Sequence, residues 1–264
     1  MTGPGMIFTT TSGTVTVVTL SQPPVNAISE QWVRAFDAIL DDLAGGPPCT
    51  VLHIRSDQKV FCAGADLREV WTHMEAPDGA ERMYAYVAGI QRLYARIERL
   101  PQVVLAEIGG AAMGGGLELA LCADIIVAGD SAKLGLPEVK LGILAGGGGT
   151  QKLARLVGRQ RAMLLLMTGR MFGAAEAFDM GIVGEVAPAG QALARALETA
   201  KEIAAMPAIS VLQIKELVNA GLNAPLETAL MLERKAFQLQ FATRDQKEGM
   251  KAFLEKRKPV YEGK

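Results

Sequence analysis

Apolar residues in this chain recur at strand spacing and then at helix spacing, several times over, before settling into a purely helical rhythm. Residues 6–20 are rich in Thr, Val and Ile around Ser12-Gly13 and predict a hairpin of two short strands, ended by Pro23-Pro24. Ser29 can cap a helix whose Val33, Phe36, Leu40 and Leu43 fall three or four residues apart. The Gly-Gly-Pro-Pro run at 45–48 stops that helix, and 50–54 resumes as a buried strand. Strand, helix and strand in this order predict a crossover unit. A long helix follows over 78–99, with Tyr84, Val87, Gln91, Tyr94 and Ile97 along one side. Pro101 ends it, and the apolar run Val103–Ile108 opens a second crossover.

Beyond that run the pattern changes character. A glycine cluster, Gly114-Gly115-Gly116, leads into helix-forming residues 117–121, and 125–127 reads as another strand. A second cluster, Gly146 to Gly149, carries no role from the pattern beyond packing or starting a helix. Residues 152–157, 161–168 and 174–180 predict short helices, and 182–186 a last strand. Residues 192–205, 208–220, 226–241 and 246–258 then predict consecutive helices, with Pro207 and Pro225 near their starts. The expected organisation is α/β: a core over 1–186 followed by an all-helical region over 187–264. No repeat of solenoid length interrupts it.

Composition narrows the function. With 264 residues, 50% of them hydrophobic, and 29 glycines, the chain is neither disordered nor a coiled coil. A net charge of −1 gives no reason to expect nucleic acid or an anionic membrane as partner. The three cysteines have no paired spacing, which fits a reducing compartment and a cytoplasmic location. With two histidines and no CxxC or Cys/His cluster, neither a His-based triad nor a metal site is expected. Residues 1–29 lack a basic leader and read as strand and turn, and no run of about 18 apolar residues suggests a membrane span.

The glycines invite nucleotide readings that fail in register. Gly114-Gly115-Gly116 is followed by Leu119 where G-x-G-x-x-G needs its last glycine, and Gly146–Gly149 is not followed by G-K-[ST]. No G-x-S-x-G elbow is present. What remains is glycine bringing backbone amides close to a ligand, at Gly64-Ala65 and at Gly114-Gly115. Two amides converging from separate loops would form an oxyanion hole, where one donor is worth about 3–4 kcal/mol of barrier. Asp66 reads equally well as the cap of a short helix. Glu118 and Glu138, set among small and apolar residues, are the candidate acid and base. Alternatives stand beside both: Glu118 as a first-turn acid on a helix dipole, Glu138 as a surface acid paired with Lys140.

The segments PVNAIS (24–29), FCAGADL (61–67), IGGAAMGGGLELALCADIIVA (108–128), GLPEVKLGILAGGGGTQKL (135–153) and FATRDQKEGMKAFLEKRKP (241–259) resemble the crotonase, or enoyl-CoA hydratase/isomerase, superfamily. The resemblance implies a spiral of ββα units with a C-terminal all-helical region, assembled as a homotrimer or a dimer of trimers. It implies an acyl-CoA substrate, as in fatty-acid β-oxidation, with coenzyme A part of that substrate and no separate cofactor. By the same resemblance the amides of Ala65 and Gly115 would hold the thioester oxygen, and Glu118 and Glu138 would be the two catalytic acids. Ala63, Gly64, Asp66, Leu67, Arg68 and Gly114 would line the substrate site, and Phe253 and Lys256 would sit near the coenzyme A of a neighbouring subunit. Retaining both acids points to hydration of a 2-enoyl-CoA, ahead of Δ3–Δ2 isomerisation. An RNA-binding relative carries a lysine-rich first helix; here Glu30, Asp37, Asp41 and Asp42 face a lone Arg34. The chain departs from the family at Ala145 (usually proline), at Lys152 (usually arginine), and at Pro24 or Val25, where a basic residue is common. Trp71 and Met74 are expected either to cap the acyl pocket or to lie in the core.

Overall fold

The computed structural model describes residues 5–46 and 49–264. The hairpin forms as β1 (Ile7–Ser12) and β2 (Val15–Leu20), paired antiparallel around Gly13. β1 is an edge strand, and its exposed threonines suit an edge facing water. Ser29 accepts a hydrogen bond from the Trp32 amide at the start of α1 (Glu30–Gly45), which buries Trp32, Val33, Phe36 and Leu40. Pro47 and Pro48, half of the expected stop, lie outside the described residues. The chain continues through β3 (Val51–Ser56), α2 (Leu67–Met74), α3 (Gly79–Glu98) and β4 (Val103–Ile108).

From there it turns as a spiral. β5 (Ala111–Met113), α4 (Gly115–Ala120), β6 (Ile125–Gly129) and β7 (Lys133–Gly135) are followed by a 3₁₀ turn over Glu138–Leu141. Next come α5 (Gly149–Val157), α6 (Arg159–Thr168), β8 (Phe172–Gly173), α7 (Ala174–Asp179) and β9 (Glu185–Ala187). The six-stranded sheet runs β1-β2-β3-β4-β6-β9, parallel from β2 onward, and a second sheet runs β5-β7-β8. Each turn adds a long strand to the first sheet and a short piece to the second: β3 with the Cys62–Ala112 bridge, β4 with β5, β6 with β7. This is the expected spiral of ββα units.

One sheet face packs on α1, α3 and α4 through Leu52, Ile54, Val104, Ala106 and Ile108. The other carries Val15, Val51, Val103, Leu105 and Val127, covered by α8 (Ala192–Ala204) through Ala192, Ala196 and Ala200. Three alanines on one stripe let that helix lie close to the strands. α9 (Ala208–Gly221) and α10 (Leu226–Gln240) bury none of their own residues, and α11 (Arg244–Leu254) follows them. Among the described residues no single helix is long and apolar enough to cross a membrane.

Several boundaries move. α3 buries Tyr86, Ile90, Leu93, Tyr94 and Ile97, while Tyr84 is 79% exposed, because the helix faces α1 and α2 on a stripe rotated from the expected one. The last strand is Glu185–Ala187 rather than 182–186, since pairing with Val127 to Gly129 defines it. α11 starts at the Thr243 cap and stops at Leu254, short of 258, and Lys256 takes a left-handed backbone at φ 54°. Trp71 and Met74 are both exposed on α2, so neither is core.

Candidate active site

The turns that leave the strands converge on one cavity of about 1160 Å³. Every candidate residue except Phe253 and Lys256 lines it, and Trp71 and Met74 do not. The loop 61–66 is held from both sides. Ile28 bridges Ala65, with its amide on Gly64 O (2.8 Å) and its carbonyl accepting from the Asp66 amide (2.8 Å). Gly64 has φ 95°, and a Cβ there would lie 2.9 Å from Met113 O and 3.1 Å from the Gly115 nitrogen. Only glycine permits that conformation and that approach. The Ala65 and Gly115 amides, side by side across this contact, take no part in the surrounding turn and loop hydrogen bonds. Gly115 is the first residue of α4, where a helix leaves its amides unpaired. Asp66 does cap α2, accepting from the amides of Arg68 and Glu69, while it also lines the cavity.

The two carboxylates sit in different surroundings. Glu118 is 3% exposed in the first turn of α4, yet its carboxylate serves the start of another helix: Oε1 accepts from the Gly149 amide at 2.7 Å. Its pKa lies above the ordinary carboxylate value because of burial, a rise only partly offset by the amides of Gly149, Gly147 and Gly148 and by Lys152. The second glycine cluster therefore has a role that its spacing did not reveal: it presents the positive end of α5 to Glu118. Glu138 opens the 3₁₀ turn with Oε2 buried and without a partner. Burial, with a smaller push from Glu118, drives its carboxyl up to about 7. Lys140 is exposed while Glu138 is half-buried with Oε2 unpartnered, so the surface-pair alternative fails.

Outside this cavity, Glu30, Glu69 and His73 bring ligand-type atoms within 4.8 Å of one another, the described residues nearest to a metal-binding set. Glu69 is already spent on the Glu30 amide at 2.9 Å, and Glu30 pairs with Arg34 at 3.3 Å.

The sequence model of the enoyl-CoA hydratase/isomerase family matches residues 10–264. The chain belongs to this family. A Rhizobium meliloti protein named "Probable enoyl-CoA hydratase" is 37% identical, over 95% of each chain. A crystal structure of enoyl-CoA hydratase from Bacillus anthracis superposes with a TM-score of 0.92 at 35% identity, covering 98% of this chain and 100% of that one. One from Polaromonas sp. JS666 gives 0.92 at 33%, with the same coverage. The protein is thus a crotonase-type enzyme of a family that acts on acyl-CoA substrates.

Several supports of this crotonase site escaped the sequence. Tyr94 donates to Gly115 O at 2.6 Å and Tyr86 to Ile28 O at 2.6 Å, so α3 pins the start of α4 and the segment that bridges Ala65. Asn26, fully buried at φ 53°, bonds Ser56 Oγ, Phe61 O and the Gln22 amide. It fixes the 22–28 loop that walls the cavity. Tyrosines at core spacing within a long helix were the one available signal. Phe253 is 81% exposed at the end of α11, away from the cavity of its own chain.

Proposed function

We propose that this protein is a 2-enoyl-CoA hydratase, adding water across the trans-2 double bond of an acyl-CoA thioester to give the 3-hydroxyacyl-CoA. The observation that carries this reading is the contrast between its two cavity carboxylates. Burial raises the pKa of both, but the Glu118 carboxylate accepts from backbone amides that favour its ionised form, whereas Glu138 has a partnerless buried oxygen and is driven up to about 7. Two acids whose surroundings differ in this way divide the roles of base and acid.

In this reading the thioester oxygen lies on the amides of Ala65 and Gly115, where charge develops as the enolate forms. Both carboxyl groups orient one water. Glu118 takes its proton as oxygen bonds to C3, and Glu138 gives a proton to C2 as the enolate collapses. The residues at 63–68 and Gly114 border the thioester, and coenzyme A arrives as part of the substrate, with no further cofactor. Isomerisation of a 3-enoyl-CoA needs only one proton shuttle and no ordered water, so two dissimilar acids favour hydration.

We assign the part of the helical region 187–264 that follows α8 to assembly as a trimer or dimer of trimers, α8 itself covering the sheet of its own chain. There Phe253 and Lys256 would complete a neighbour's coenzyme A site. The apolar residues left exposed on α9 and α10, such as Val218, Leu222, Leu226 and Phe237, support this. A cytoplasmic location and a place in β-oxidation fit the same reading.

The test is loss of the conjugated absorbance of crotonyl-CoA and of longer 2-enoyl-CoAs. Glu118→Gln and Glu138→Gln should each lower kcat on the order of 10³-fold with unchanged melting. Absence of turnover at every chain length would refute the reading, and near-normal turnover by either variant would refute its assigned role.

A further inference from the structure

Behind Glu118, on the side away from the cavity, the interior holds an ammonium group. Lys152 projects from the second half-turn of α5, and its side chain is 19% exposed. Its Nζ lies 2.8 Å from Glu98 Oε1 of α3 and 3.0 Å from Cys122 Sγ, at the end of α4. It also stands 5.8 Å from the centre of the Tyr94 ring. The thiol in turn donates to the carbonyl of Glu118 itself, at 3.1 Å. The lysine stem crosses Gly148, where a Cβ would meet Lys152 Cε at 3.2 Å. One side chain thus touches the helix that carries Glu118, the turn whose amides serve it, and the tyrosine that pins Gly115. Lys152 does not line the cavity, so it reaches the substrate only through these groups.

We propose that Lys152 is a positioning residue for the acid–base pair, its charge favouring the carboxylate form of Glu118 against the opposing effect of burial and its stem holding the α5 glycine turn against that carboxylate. This rests on the hydratase reading for its kinetic consequence. The titratable groups of this cluster are Tyr94, Cys122, Glu138 and Lys152 beside Glu118, with Cys62 beside Tyr94 and Glu98 beside Lys152. Burial holds Tyr94 well above its ordinary pKa and pushes both thiols up to about 12, so these stay neutral. Glu138 and Glu98 are acids, which leaves Lys152 as the cation of the described set. Its partner Glu98 is 41% exposed, so water screens that carboxylate more than it screens the ammonium.

A structural ion pair and a charge that tunes Glu118 predict different pH profiles. Replacing Lys152 by methionine keeps the stem and removes the charge. The acid limb of kcat/KM should move to higher pH by roughly half a unit or more, about a threefold loss below the limb. KM should stay unchanged, and Lys152→Arg should restore the limb. Glu98→Gln frees the ammonium from its counter-charge, and the limb should then move the opposite way. If Glu118 were indifferent to the charge, Lys152→Met would leave the limb in place, or both variants would shift it alike; either result overturns the proposal. A readout without turnover is the infrared carboxylate band of Glu118, assigned by difference against Glu118→Gln. It should titrate higher in Lys152→Met and lower in Glu98→Gln, and an unmoved band also overturns the proposal. If the wild-type protein hydrates no enoyl-CoA, the function falls while this titration still decides the role of Lys152.

Discussion

Replacing Gly147 by alanine probes whether the glycine turn before α5 sets the position of Glu118. The backbone there is compatible with alanine, but its Cβ would stand 2.6 Å from Glu118 Oε2 and 2.9 Å from Tyr94 Cε2. Tyr94 is tethered at its hydroxyl to Gly115 O and buried on all sides, so the carboxylate is the partner that yields. Moving it from 2.6 Å to the 3.4 Å where ordinary contact begins takes about 0.8 Å and pulls Oε1 off the Gly149 amide. Displacing a reacting group by about 1 Å costs on the order of 10²-fold in rate. We expect kcat for 2-enoyl-CoA hydration to fall by about that factor. KM should change little, because the Ala65 and Gly115 amides are untouched. Gly45→Ala, where an added Cβ meets nothing within 4 Å, is the control and should match the wild type. A folded Gly147→Ala protein turning over within about threefold of wild type would refute the argument that this turn positions the base.

Other expectations follow from the same geometry. The kcat/KM profile should be a bell: activity is lost above about pH 7 as Glu138 gives up the proton it must donate, and lost on the acid side as Glu118 gains one. An alkaline limb that persists unchanged in the residual activity of Glu138→Gln would place that proton elsewhere. Gly116→Ala would set a Cβ 2.2 Å from the backbone oxygen of Cys62, which cannot move without the 61–66 loop. It should cost about 3 kcal/mol and lower Tm on the order of 10 °C; an unchanged Tm would show that the loop is not clamped to α4. His53, buried with both ring nitrogens unpartnered, is pushed down from 6.5 to about 4, chiefly by burial and then by Arg55. The unfolded chain takes the proton first, so stability should fall as pH drops from 6.5 toward 4, by at most about 3 kcal/mol. Denaturant titrations of His53→Leu should lack that component, and equal pH slopes would contradict it.

The parts of the fold that were legible in the sequence are those whose signal is local. The apolar run of β4 and the Ser29 cap of α1 each state their structure within a few residues. β5, β7 and β8 have three residues or fewer and exist only because successive turns of the spiral bring them side by side, so no window along the chain reveals them. The α3 face expected from helical spacing held at Tyr94 and Ile97 but began on Tyr84 in place of Tyr86: the two are equally apolar in sequence, and only contact with α1 and α2 decides which is buried. In the site, Glu118 and Glu138 stood out as acids among small residues. The service of Gly147 and Gly149 to Glu118 joins positions about thirty residues apart and emerges only when α4 and α5 pack. Likewise, nothing in a helical heptad announces that the Tyr94 hydroxyl ends on the carbonyl of Gly115, a residue that lines the cavity.

The claim on which everything turns is that Glu118 and Glu138 add water to a conjugated thioester. It is tested most directly by incubating the protein with a trans-2-enoyl-CoA in oxygen-18-labelled water and analysing the thioester product. The account predicts a 3-hydroxyacyl-CoA carrying the heavy oxygen at C3, formed by the wild type and nearly abolished in each Glu→Gln variant. Recovery of unlabelled enoyl-CoA, or conversion of a 3-enoyl-CoA to its 2-enoyl isomer with no oxygen taken up, would contradict it.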